Sequence, residues 1–123
     1  MSRFGSTSTN LTMVVQPKAV VTSRHYEERL IEILEYGMDA FGYAQACTYF
    51  NKIAQCVERL DNNYLIYPEC RHLPTKSRIY RNIILDAHLI IYRVTEKRIE
   101  VLDIVHAASS IRKIRDVRKV RFD

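Results

Sequence analysis

The residues able to do chemistry in this chain are few and scattered. Three cysteines (Cys47, Cys56, Cys70) and four histidines (His25, His72, His88, His106) are its soft metal ligands. No C-x-x-C pair occurs and no histidine clusters with a cysteine, so the pattern predicts reduced thiols, no metal site and no cofactor. The basic residues say more. The last thirteen positions, IRKIRDVRKVRFD, carry Arg112, Lys113, Arg115, Arg118, Lys119 and Arg121 against Asp116 and Asp123. Such a terminus attracts nucleic acid or an acidic protein partner, or is simply a solvated helix face. Asp103 is the oddest residue of the set, because it stands inside the apolar run IEVLDIVH. A buried carboxylate needs a partner, and Arg81 or Arg93 on a neighbouring strand is expected to supply it.

Three short runs rich in Ile, Val, Leu and Tyr, at residues 79–85, 88–94 and 99–105, must position these groups. Two tight polar breaks separate the runs, Asp86-Ala87 and residues 95–98. β-Branched and aromatic residues suit a pleated, half-buried surface, and gaps this short permit only antiparallel neighbours. The stretch therefore reads as a three-stranded meander. So apolar a sheet cannot stand alone in water, and another part of the chain has to cover it.

The cover lies upstream. Residues 18–22 (KAVVT) make a short β run, and Ser23 sits where a helix N-cap belongs, with Glu27 and Glu28 in the first turn. Apolar residues then recur at Tyr26, Leu30, Ile33, Leu34, Met38 and Phe41, a helical period that Gly42 closes. A second apolar face, through Ala46, Cys47, Phe50, Ile53, Ala54, Val57 and Leu60, predicts a helix from Tyr43 to about Asp61, ended by Asn62 and Asn63. So short a connection makes an antiparallel hairpin whose apolar side packs on the meander. Residues 64–77 read as a loop, and Ser109 or Ser110 caps a last helix bearing Ile111, Ile114, Val117 and Val120. The predicted order is β-α-α-β-β-β-α, an α+β fold with a helical hairpin on a mostly antiparallel sheet.

A chain of 123 residues is one domain. Residues 1–17 lack periodicity and are expected to form a flexible arm, with the folded domain over 18–123. No window is apolar enough for a transmembrane helix, and MSRFGSTSTN lacks a signal peptide's apolar core, so a cytoplasmic protein is expected.

Two stretches carry a resemblance. The opening VVTSRHYEERLIEILEYGMDAFG, with Tyr36 and Gly42 in place, looks like the start of RelE/ParE superfamily toxins. The segment YRNIILDAHLIIYRVTEKRIEVLDIVH is similar to the most recognisable part of that family, with Arg81, His88, Tyr92, Arg93 and His106 filling its places. The likeness spans roughly residues 18–115. It implies the toxin half of a type II toxin–antitoxin (plasmid stabilisation) pair, growth-inhibiting when free and neutralised by a cognate antitoxin.

Within that resemblance two modes compete. RelE-like members cut ribosome-bound mRNA without a metal, and ParE-like members poison DNA gyrase. On the nuclease reading His106 is the acid or base, while Arg81 and Arg93 contact phosphate. The departures weigh against it. Leu89 is apolar where some nucleases place a sheet Arg, Ala107-Ala108 follows His106, and the terminal helix has no Tyr. The ParE-like mode is therefore favoured, with mRNA cleavage as the alternative and an inactive binding module as a third reading. Outside the family, a small nucleic-acid-binding domain explains the charge but not the hairpin followed by this meander. Expected partners are the antitoxin and either gyrase or ribosome-bound mRNA, with a second copy of the chain as a further candidate and no membrane. The resemblance places antitoxin contact on the basic terminal helix, through Ile111, Ile114, Arg112, Lys113, Arg115 and Arg118.

Overall fold

The computed structural model describes residues 15–122. Its sheet has the order β1-β4-β3-β2, with β1 at Ala19–Thr22, β2 at Tyr80–Leu85, β3 at His88–Val94 and β4 at Arg98–His106. The meander forms as expected, β2 and β3 pairing through Leu85 and His88 and β3 and β4 through His88 and His106. β1 closes the other edge, parallel to β4, with Ala19 opposite Arg98 and Thr22 opposite Val101. β4 is thus internal, and every residue from Ile99 to Val105 is buried.

Helix α1 (Arg24–Phe41) starts where the sequence places it, because the Ser23 hydroxyl does two jobs. It accepts the Tyr26 N–H at 3.0 Å and donates to the Leu102 carbonyl of β4 at 2.5 Å. Gly42, at φ 94°, ends α1 in a conformation that L side chains rarely adopt. Helix α2 (Tyr43–Glu58) returns antiparallel. The two helices touch at Gly37, where a Cβ would lie 3.1 Å from the Ala46 Cβ. The hairpin, with Leu60 just beyond its end, covers one face of the sheet, burying Tyr26, Ile53, Val57 and Leu60 against Ile83, Ile90, Tyr92, Ile99, Val101 and Ile104.

Several details differ from expectation. The second helix stops at Glu58, and a separate turn, α3 (Leu60–Asn63), takes in the two Asn residues expected to terminate it. The opposite sheet face is not a free solvated surface. Cys70 and Leu73 from the 64–77 loop, with Ile114 and Val117 from the chain end, bury Ile91, Leu102 and Val105 there. The chain end is an α-helix, α4, only over Ile111–Asp116, capped by Ser110, and tightens into a 3-10 turn at Val117–Lys119. That tightening keeps Ile114 and Val117, three residues apart, on one face.

Residues 1–14 of the expected arm lie outside the described residues. Residues 15–17 are not free: Val15 packs on the main core, and the Gln16 carbonyl accepts the Tyr64 hydroxyl at 2.7 Å. The ordered body therefore begins before residue 18.

Since Ser23 joins α1 to β4 through one buried hydroxyl, Ser23→Ala is expected to cost about 1–3 kcal/mol in urea unfolding. Thr48→Ala, which removes an exposed hydroxyl bonded only within α2, should stay within about 0.5 kcal/mol of the parent.

Candidate functional site

A bulge in β4 shapes the chemically richest part of the molecule. Ile91 faces Asp103 while Tyr92 faces Val101, so Leu102 is the extra residue. The shift leaves Ile104 on the hairpin face and Val105 on the other, and sets Asp103 opposite Ile91. Its partner is neither Arg81 nor Arg93. The Arg29 Nε stands 3.7 Å from the Asp103 Oδ1, which also accepts the Ile104 N–H at 2.7 Å. Burial pushes the Asp103 carboxyl above its ordinary pKa, against the opposing pull of the Ile104 N–H, Arg29, His25 and Lys113.

Arg29 in turn lines a groove of about 730 Å³ between the helical hairpin and the end of the meander. Ile33, Tyr36 and Phe41 form its apolar part, and Tyr49, Lys52, Asp86, His88 and His106 its polar end. His88 and His106 face each other across β3 and β4, their rings edge to face at 5.6 Å. The His88 Nδ1 is 2.8 Å from the Tyr49 hydroxyl, and the His106 Nδ1 accepts the Ala108 N–H at 3.1 Å. Burial, and then the neighbouring His106, hold His88 below the usual imidazole range. Above the groove Tyr36, Phe41 and Tyr43 are exposed by 68%, 60% and 72%, too much apolar surface on one hairpin tip to be incidental.

The three residues assigned to nuclease chemistry do not meet. Arg93 lies opposite Glu100 and Arg81 opposite Tyr92, while His106 ends β4. At ~3.3 Å per residue, five or six positions along the strands separate His106 from either arginine by roughly 15–20 Å. Both arginines are also engaged. The Arg81 Nη1 donates to the Tyr67 carbonyl at 2.6 Å, whereas Arg93 grips Glu100 through Nε and Nη2 and reaches the Tyr80 hydroxyl through Nη1. Burial raises the Glu100 pKa, but bonds from Arg93 and Arg98 outweigh it and hold the carboxyl below its ordinary value. Of the residues assigned to partner contact, Ile111, Arg112, Lys113, Arg115 and Arg118 are exposed. Ile114 is not: at 4% exposure it packs beneath the chain end and holds that segment to the sheet.

Sequence reasoning missed Arg29, Tyr49 and Lys52. Arg29 was detectable, since it falls three residues after Tyr26 and four before Ile33, a cation on the apolar stripe of α1. Among the described residues no group of His, Cys, Asp or Glu is arranged to hold a metal ion, and no helix is long and apolar enough to cross a membrane.

A helical hairpin clasped to a three-stranded meander, with a parallel first strand and a C-terminal helix, is a ParDE-like fold. The sequence matches the family described as ParE toxin of type II toxin-antitoxin system, parDE, over residues 20–111, and the chain belongs to that family. Membership implies a ParD antitoxin as partner. A solved chain described as the chromosomal ParDE TA system from P. aeruginosa superposes with a TM-score of 0.61 at 18% identity, covering 75% of this chain and 98% of that one. No curated protein matches the sequence.

The low His88 pKa has a defined sign. The unfolded chain takes up a proton near pH 6.5 while folded His88 still resists it, so the contribution of His88 to stability is intact above that value and is lost as pH falls below it. NMR titration should place the His88 midpoint below 6.5; a midpoint at or above 6.5 contradicts the burial argument.

Proposed function

We propose that the free protein arrests growth in the cytoplasm by poisoning DNA gyrase, and that ParD silences it by covering the groove. The observation that carries the target reading is the scatter of the nuclease candidates. Cleaving RNA without a metal needs phosphate-binding cations and a proton-transfer group around one phosphorus atom. Arg81 and Arg93 are tied to backbone and to Glu100, far along the strands from His106. A toxin that acts by docking on an enzyme needs no such convergence.

The antitoxin reading rests on the hairpin. An amphipathic segment laid in the groove finds apolar anchors in Ile33, Tyr36 and Phe41, with Arg29 and Lys52 for its carboxylates. The exposed Ile111, Arg112, Lys113 and Arg115 of α4 offer a second, basic surface to an acidic partner. Phe41→Asp should weaken antitoxin binding about tenfold or more in a titration, because exposed aromatics at a groove mouth are the usual anchors of an interface. Unchanged affinity would move the antitoxin elsewhere.

Expression without antitoxin is expected to stop growth. Purified toxin should then trap gyrase-cleaved DNA and leave ribosome-bound mRNA intact. In the gyrase assay His106→Ala should keep its activity within about twofold, since on this reading the exposed imidazole has no proton to transfer. The alternative, mRNA cleavage, is favoured by one observation, the adjacency of His106 to His88, which supplies two imidazoles for acid and base roles. Cleavage of ribosome-bound mRNA, abolished in both His88→Ala and His106→Ala, would establish that alternative and sink the gyrase reading.

A further inference from the structure

The protein's positive charge gathers at the end of the sheet away from the groove. A shelf of about 660 Å³ is lined there by Arg93, Arg98, Arg118, Lys119 and Arg121 around the buried Glu100. Glu100 is gripped from both sides, since Arg93 and Arg98 each direct Nε and Nη2 at it. Arg98 also lies over the Phe122 ring at 5.5 Å, and Arg93 over Tyr80 at 5.8 Å. Two guanidinium groups are therefore fixed in place before any ligand arrives, and their charge exceeds that of the one carboxylate between them. Lys119 has only the exposed Asp116, 3.3 Å away, as an ion-pair partner, and Arg118 and Arg121 form no ion pair among the described residues. Among the described residues, five cations stand against Glu100 and Asp116 there, a local excess of three. The groove, by contrast, sets Arg29 and Lys52 against Glu32 and Asp86 and is balanced apart from its histidines.

We propose that this shelf binds the phosphate backbone of a nucleic-acid duplex. The choice over an acidic peptide follows from what the shelf lacks. Peptide segments dock through apolar anchors set in a groove, and here the Phe122 ring is already covered by Arg98 while Val120 packs inward on the second core. Backbone phosphates need only closely spaced cations and donors on an open surface. Arg98 keeps its Nη1 free of Glu100, and Arg118, Lys119 and Arg121 are exposed beside it. Nothing on the shelf is shaped to read base edges, so the binding is sequence-independent. The inference goes beyond the target reading and stands whether the toxin acts on gyrase or on RNA.

The free, full-length toxin is to be titrated by fluorescence anisotropy against labelled duplex DNA and duplex RNA over a range of salt. With about three phosphates neutralised, log affinity should fall with log salt at a slope of roughly −2 to −3. The triple variant Arg118→Gln, Lys119→Gln, Arg121→Gln changes only exposed side chains, so it should fold normally. It should lose about tenfold in affinity at low salt and flatten that slope by about two or more. A charge-matched control, Arg24→Gln, Arg71→Gln, Lys76→Gln, removes three exposed cations that line neither shelf nor groove; it should retain most of the affinity and slope. Binding of either duplex that is lost selectively in the shelf variant supports the proposal, and the two duplex arms tell which backbone is preferred. Equal losses in the two variants would mean bulk charge and overturn it. So would the absence of duplex binding, or binding only of a polyglutamate peptide by the shelf.

Discussion

Burial of β4 on both faces is the constraint on which the rest of the structure depends. A strand with Ile99, Val101, Leu102, Ile104 and Val105 all out of water needs two covers, and the chain has only one long amphipathic hairpin to give. The hairpin takes one face. The other is closed piecemeal, by the loop carrying Cys70 and Leu73 and by the chain end carrying Ile114 and Val117. Because the C-terminal segment is committed through those two apolar residues, its arginines and lysine are held outward at fixed positions. The basic end of the protein is thus a by-product of how the second core is sealed.

The same strand arranges the polar residues. A regular ladder would keep residues 101, 103 and 105 on one face and 102 and 104 on the other. The bulge at Leu102 breaks that alternation, sets Asp103 opposite Ile91, and fixes the facing of everything up to His106. Groove and shelf lie at opposite ends of β4, one beside His106 and one around Glu100. They differ in kind, since the groove is apolar and charge-balanced and the shelf is charged and shallow.

Most of the architecture was legible in the sequence, because local and global preferences agree. Ser23 as a cap, Gly42 as a stop, the period of α1 and the short breaks of the meander each point to the element that forms. The illegible parts depend on distant contacts. The pairing of Asp103 with Arg29 of α1, rather than with Arg81 or Arg93, is a contact between distant elements, which no local pattern announces. That Ile114 is buried while Ile111 is exposed follows from the tightening of the last helix over the second core. Arg93 and Glu100 stand on adjacent strands, but only the register shows that they pair and that Arg98 clamps the same carboxylate. The separation of Arg81, Arg93 and His106 needed the register, because a list of residue types carries no distance along a strand.

The parallel pairing of β1 with β4 has a consequence for when the protein comes into being. Ala19 and Arg98 are neighbours in the sheet yet stand at opposite ends of the chain. During synthesis the hairpin and first strand emerge early but have no floor to pack on, since β4 and the segment sealing its far side follow them in the chain. Long-range pairing of this kind is slow to form and comes only after the entropy of closing a long loop has been met. Groove and shelf are therefore both absent until β4 has joined the sheet, and they form together. A chain cut short before β4 would be left unfolded, so incomplete translation products would be inert and not partly toxic.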